Sequence, residues 1–244
     1  MTRTQAEVPD DLGASDSTLE LLQAGEPSSE RAYRVLKAAI VDGSLAPGAT
    51  VSEQQLARRL EMSRTPVHQA VSRLEADGWV TVAARSGVRI SPLVADDLAD
   101  IYETLLALEG VAAARLARLS TDAINEQLLI ACVRCEEALA ANDLRAWAEW
   151  DNALHTVLVD ACGNQRLRRA FQTVAEQAHR ARMLTVELRP FPVNSNRDHR
   201  VIVDAIIGHR PAEARKALES HRMRGMETLL PIIRALVPGS SSFV

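Results

Sequence analysis

Asp151 and His155 stand four residues apart in a stretch whose apolar spacing is helical, so both project from one face and can close on a single ion. His199 and His221 fall in two later helical stretches. Four ligands from three helices, all directed inward, would make a metal site inside a bundle. Imidazoles with one carboxylate suit Zn, Ni, Fe or Mn, and the donor set does not choose among these divalent ions. The uses open to such a site differ in kind. It could activate water, as in a metal-dependent hydrolase or lyase, although no general base stands clearly beside it. It could seat a small organic anion, the ion could itself be a signal, or it could simply clamp three helices. A lone histidine on a helix is more often a packing residue than a ligand, so residue type by itself leaves the question open.

A second stretch carries chemistry of another kind. Ser63-Arg64-Thr65-Pro66-Val67-His68-Gln69-Ala70-Val71 follows Ser52-Glu53-Gln54-Gln55-Leu56-Ala57-Arg58-Arg59-Leu60 after two residues. The pair reads as two short helices joined by a tight turn. The second begins with hydroxyls and an arginine, which is how a helix-turn-helix presents itself to the major groove. Ser63, Arg64, Thr65 and His68 would face one groove, with Gln54 on the preceding helix beside them. Arg64 can pair with a guanine edge or a phosphate, while hydroxyls and helix N–H groups take phosphates. Arg34 on an earlier helix and the tip Arg85-Ser86-Gly87 could add backbone contacts.

The elements that must position these residues follow from local signals. A first helix is expected over about 30–42, with Tyr33, Leu36, Ile40 and Val41 at helical spacing and Gly43 ending it. Ser52 caps the next helix, with Gln55 completing a capping box. Ser63 or Thr65 caps the third, where Pro66 suits the first turn and Gly78 ends the run. Trp79–Val82 and Val88–Ile90 read as two strands joined at a hairpin tip. Three helices plus a two-stranded ribbon make a winged helix-turn-helix. Beyond it the pattern is helical: about 97–119, 122–141, 143–162, 164–187, 195–208 and 211–236, with Asn164 as a cap after Gly163. The fold class is therefore mainly α: a winged helix-turn-helix over 28–92, a linker over 93–96, and an all-helical antiparallel bundle over 97–237. The acidic segment 1–27 and the segment 238–244 read as disordered tails.

Charge distribution supports the division. The 244-residue chain carries a net charge of −4, yet residues 28–92 hold nine Lys or Arg against six Asp or Glu, a net of +3. That stretch alone has the electrostatic footprint that phosphate requires. Apolar residues make up 47% and aromatics only 3%, which favours helix over sheet. No apolar run approaches the roughly 20 residues of a membrane span. The N-terminal segment has no apolar secretory core, and three cysteines fit a reducing compartment, so a cytoplasmic location is expected.

Leu45-Ala46-Pro47-Gly48, Ser52-Glu53, Leu56-Ala57, Ser63-Arg64-Thr65-Pro66-Val67, Leu74-Glu75-Ala76-Asp77-Gly78 and Gly87 together resemble the GntR family of bacterial transcription regulators. Residues 97–236 resemble the FCD effector domain of its FadR subfamily, through Asp151, His155, Gly163-Asn164, Asp198-His199-Arg200 and His221 taken in order. The resemblance implies a homodimeric regulator, usually a repressor, that grips a short palindromic operator in double-stranded DNA. It assigns the metal to Asp151, His155, His199 and His221, and a small organic acid to the ion's open positions. Two departures stand out. His68-Gln69 occupies the place of the usual Arg-Glu. Leu105 occupies the place of an arginine four residues before Glu109 that commonly helps hold an anionic effector; Arg182 or Arg134 could replace it.

Other conspicuous residues read as structure. Cys132 and Cys135 lack a second cysteine pair and are expected in the core. Trp147, Trp150 and Phe171 are expected to pack the bundle. His179 and His209 are expected to face solvent or cap helices.

Overall fold

The computed structural model describes residues 26–83 and 87–236. The tails read from the sequence, apart from Glu26 and Pro27, and Arg85 and Ser86 at the hairpin tip, lie outside the described residues. The chain divides into two compact units between Pro92 and Leu93.

In the first unit, α1 (Ser28–Val41) buries Ala32, Tyr33, Leu36, Ala39 and Ile40 along one stripe. A two-residue strand, β1 (Thr50–Val51), leads into α2 (Glu53–Arg59). The capping box forms as expected: the Gln55 N–H donates to Ser52 Oγ at 3.2 Å, and the Ser52 N–H donates to Gln55 Oε1 at 2.8 Å. Glu61, at φ 53°, makes the tight turn into α3 (Arg64–Ala76). Val67, Ala70, Val71 and Leu74 hold α3 against the core, and Gly78, at φ 78°, ends its last turn.

The sheet differs from expectation. β2 (Val80–Ala83) and β3 (Gly87–Ile90) pair antiparallel, but β1 pairs with the other edge of β3, so the order is β1-β3-β2. The expected two-stranded ribbon is a three-stranded sheet. Two residues are too few to show the alternation that identifies a strand. Gly87 is explained by this sheet. Its φ is 82°, and a Cβ there would stand 2.8 Å from the Val51 carbonyl oxygen. A glycine is needed for close approach of β1, whatever its neighbours do with DNA.

The second unit is a helical bundle: α4 (Ala95–Leu119), α5 (Asp122–Ala140), α6 (Leu144–Asp160), α7 (Gln165–Thr185), α8 (Val193–Ile207) and α9 (Pro211–Leu236). Turn chemistry fixes the connections. Asp143 caps α6 by accepting from the Ala146 N–H at 2.9 Å. Asn164 caps α7 by accepting from the N–H groups of Arg166 and Leu167. One long apolar core runs through all six helices, including Leu105, Leu116, Leu128, Leu154, Phe171 and Leu218. Each such side chain contributes about 1.5–3 kcal/mol by leaving water.

Two helix bounds are corrected. The stretch expected to run to 187 stops at Thr185, where Thr185 Oγ1 donates to the Ala181 carbonyl at 2.7 Å, and a 3₁₀ turn (Val186–Leu188) follows. Arg189 precedes Pro190, which disfavours a continuing α conformation. α8 begins at Val193, directly after Pro192, rather than at 195.

Candidate metal centre and nucleic-acid interface

α6 delivers Asp151 and His155 one turn apart; α8 and α9 deliver His199 and His221. One ligand atom from each of the four lies within 4.8 Å of the others, and all four side chains are buried. The His199 and His221 ring centres are 4.8 Å apart, and those of His155 and His221 are 5.2 Å apart.

The surroundings orient these rings. His155 Nδ1 stands 2.7 Å from Glu109 Oε1 on α4, close but out of line for a well-formed hydrogen bond. His221 Nδ1 lies 3.4 Å from Asp198 Oδ2. In both rings Nδ1 meets a carboxylate, which leaves Nε2 for the centre. His199 Nε2 faces Asp151 Oδ1 at 3.2 Å. Glu109 is in turn gripped by Arg222, which donates from Nη2 to Oε1 at 2.7 Å and from Nε to Oε2. Burial would raise the Glu109 carboxyl, but Arg222 and His155 outweigh it and hold the group at about 2.

These residues fit a divalent ion. His155 Nε2, both ring nitrogens of His199, and Asp151 Oδ2 are buried with no well-formed hydrogen bond, a costly arrangement unless something else satisfies them. Their protonation also suits a ligand. Burial, helped by the Arg222 cation, holds the His155 pKa down, and burial pushes that of His221 down to about 3, so both imidazoles are neutral. Burial acts to raise Asp151, but Arg182, His155 and His199 prevail and hold it well below the carboxylate range.

Of the two arginines named as replacements for the residue at Leu105, one is at the centre. Arg182 Nε is 3.2 Å from Asp151 Oδ2, and its Nη2 donates to Asn152 Oδ1 at 3.4 Å. Arg134 is not: it lies on the exposed face of α5, paired with Glu137 at 2.9 Å and near the Trp150 ring. Leu105 itself is fully buried in the apolar core. Two further expectations are corrected. Trp150 is 37% exposed, because its position on α6 turns it away from the face that carries Trp147 and Asp151. His179 is buried rather than facing solvent, with Nε2 3.4 Å from Glu149 Oε2. His209 does secure a loop, its Nδ1 lying 2.9 Å from the Ala117 carbonyl. Cys132 and Cys135 are core residues, as expected.

Sequence reasoning missed Arg222, Asp198 and Arg189 as contributors. Arg222 and Asp198 each adjoin a histidine ligand, a position that read as incidental. Arg189 sits in a loop, where helical spacing says nothing. Its guanidinium carbon is 5.0 Å from the Trp147 ring centre, and Trp147 lies one turn before Asp151.

In the first unit, Ser63, Arg64, Thr65, His68 and Gln69 are exposed at the start of α3, and Gln54 is exposed on α2. Ser63 is the N-cap residue, yet its side chain makes no capping bond, so the hydroxyl is available to an outside partner. Pro66 removes one N–H that the helix could not satisfy, and those of Arg64 and Thr65 point outward. His68 Nδ1 is 3.0 Å from Glu53 Oε1, which ties the recognition helix to α2. Arg34 is turned onto Glu26, with Nη2 2.7 Å from Oε2, so a phosphate would have to compete for it.

A winged helix with an open, polar recognition-helix start and a helical bundle with a buried ligand-ready cluster define a ligand-controlled DNA-binding protein. The comparisons give the family. Residues 28–90 match "Bacterial regulatory proteins, gntR family", and residues 100–224 match the FCD domain. The chain belongs to the GntR family, with an FCD domain, and is a DNA-binding transcriptional regulator rather than an enzyme. It is 40% identical over 137 residues to an uncharacterized HTH-type transcriptional regulator in the TAR-I ttuE-ttuC' intergenic region of Agrobacterium vitis, covering 55% of this chain and 80% of that one. It is 30% identical over 183 residues to the "Probable D-xylose utilization operon transcriptional repressor" of Paenarthrobacter nicotinovorans, covering 75% and 80%. Its fold matches E. coli McbR/YncC with a TM-score of 0.74 at 17% identity, covering 86% of this chain and 99% of that one. Among the described residues, no helix is long and apolar enough to cross a membrane.

Proposed function

We propose that this chain is a cytoplasmic, homodimeric repressor whose hold on a short palindromic operator is controlled by a small organic acid at a metal site in the helical unit. The buried cluster of Asp151, His155, His199 and His221 carries the reading, because the unsatisfied nitrogens of His155 and His199 and the neutral imidazoles of His155 and His221 are poised for an ion. Those four side chains would hold the ion, which when bound supplies Lewis-acidic positions for carboxylate oxygens. Zn, Ni, Fe and Mn all suit the donor set. Glu109 and Asp198 fix the ring orientations, Arg222 holds Glu109 in place, and Arg182 offers a cation beside the centre. On DNA, Arg64 takes a guanine edge or phosphate, and Ser63, Thr65, His68 and Gln54 position the helix. The tip at Arg85, Ser86 and Gly87 follows the backbone.

A palindrome is read by two copies, and the exposed face of α5 suits a second copy. Leu129, Ile130 and Val133 form an apolar strip there. Glu126 and Arg134 lie at equal spacing on either side of Ile130. A two-fold axis at Ile130 would set each arginine opposite the other chain's glutamate.

The test is fluorescence anisotropy of the full chain on a promoter fragment of its own operon. Binding should be sequence-selective, should fall steeply with salt, and should respond to metal and acid together. Binding that is indifferent to sequence would overturn the regulatory reading. If chelation melts the bundle without a change in operator affinity, the ion is a clamp. If the ion alone sets the affinity, it is the signal.

A further inference from the structure

We infer that the effector of this chain is a diacid, with Arg189 and Arg182 as the seat of its second acidic group. The inference rests on the proposed function, because it concerns the ligand of that same site.

The unused donors come first. Arg182 is 3% exposed, and its Nη1 and Nε have no hydrogen-bond partner. Nε is near Asp151 Oδ2 but not aligned to it. Arg189 Nε and Nη1 are also buried and without a partner. Its guanidinium is held against the Trp147 ring. Trp147 cannot swing away freely, since its Nε1 donates to Asn196 Oδ1 at 2.8 Å. Arg189 feels the charges of both Asp151 and Arg182, so two guanidiniums with open N–H groups, one braced by an aromatic wall, stand near the centre as donors that a planar carboxylate could take.

Charge points the same way. Glu109 is taken up by Arg222 and His155, and Asp198 by Arg224 and His221. Glu149, beside Arg182, is 60% exposed and engaged with His179. Asp151 therefore remains as the one buried carboxylate among the described residues to serve both Arg182 and Arg189, a net excess of one positive charge. A divalent ion on Asp151 would add two more. Buried charge without a partner is strongly unfavourable, and a monoanion at the ion would leave the arginine fork unanswered. A second acidic group on the same ligand reaches both. Arg189 pushes in this direction physically: burial lowers its pKa, so its charge is strained and gains by pairing.

The experiment is titration calorimetry of the full-length, Zn-loaded protein with four-carbon probes matched in length: succinate against butyrate, and malate against 3-hydroxybutyrate. The diacid of each pair should bind at least tenfold more tightly. Arg189→Gln should shrink the ratio below about threefold, with thermal melting confirming that the variant is folded. Equal affinity within each pair, or a ratio unchanged in Arg189→Gln, overturns the diacid inference and leaves a metal-dependent acid receptor standing. Failure of every probe to bind in a metal-dependent way overturns both.

Discussion

Removing the carboxylate of Glu109 should be among the most damaging single changes in the helical unit, and its cause can be isolated. In Glu109→Ala, Arg222 loses both its bonds and stays buried at 3% exposure, while His155 loses its Nδ1 neighbour. Removing one partner of a buried pair costs about 3–5 kcal/mol, because the other charge is left uncompensated. For a unit of this size each kcal/mol moves the melting point by about 2–4 °C, so a fall of roughly 6–20 °C is expected. Arg222→Met alone should cost a similar amount. The double change Glu109→Leu with Arg222→Met should recover most of the loss, since two apolar side chains leave no buried charge. The assay is thermal melting of the full chain by circular dichroism in chelator, so that no ion contributes. A cost below about 1 kcal/mol for Glu109→Ala, or a double variant no better than either single one, would refute the reasoning.

Arg64→Ala should weaken operator binding by roughly 1–3 kcal/mol and, if its partner is a phosphate, flatten the log–log salt slope by about one; anisotropy at several salt concentrations checks both. Glu109→Gln should lower metal affinity by about 10–100-fold through the loss of an anionic anchor for His155, read by competition with a chromogenic chelator. Ile130→Asp should convert the proposed dimer to a monomer in analytical ultracentrifugation; an unchanged sedimentation coefficient would remove α5 as the interface. Burial pushes the Cys132 thiol up to about 11 and that of Cys135 higher still, so at pH 8 neither is a thiolate. A disulfide reagent should therefore spare both in the native protein and label them in denaturant.

Part of the helical layout was legible because some helices announce an end. Ser52, Gly78 and Asn164 act locally, and local chemistry survives whatever the rest of the chain does. What escaped was non-local. β1 is a strand through its pairing with β3, and two residues hold no period to detect. The 3₁₀ turn after Thr185 depends on a proline four residues beyond its first residue, while the apolar pattern runs on unbroken. Gly87 was legible as special, but its close approach to Val51 is a fact about two strands that only the folded sheet displays.

At the site, the family resemblance named Asp151, His155, His199 and His221, and the fold brings the four together; spacing by itself had left their use open. Their supports were not legible, because a carboxylate that orients a ligand has no spacing rule: Glu109 reaches His155 from a helix 46 residues earlier in the chain. Leu105 shows the consequence. Read as a loss, it suggests a weakened anion site. In the fold it belongs to a fully apolar stretch of α4, and the cations near Asp151 come instead from α7 and the loop after it. An arginine placed at 105 would bury a guanidinium in the apolar core, where Glu109, one turn on, is already held by Arg222. Leu105 is therefore part of the core that α4 brings to the bundle, and an anion seated beside Asp151 would draw its cations from Arg182 and Arg189 rather than from α4.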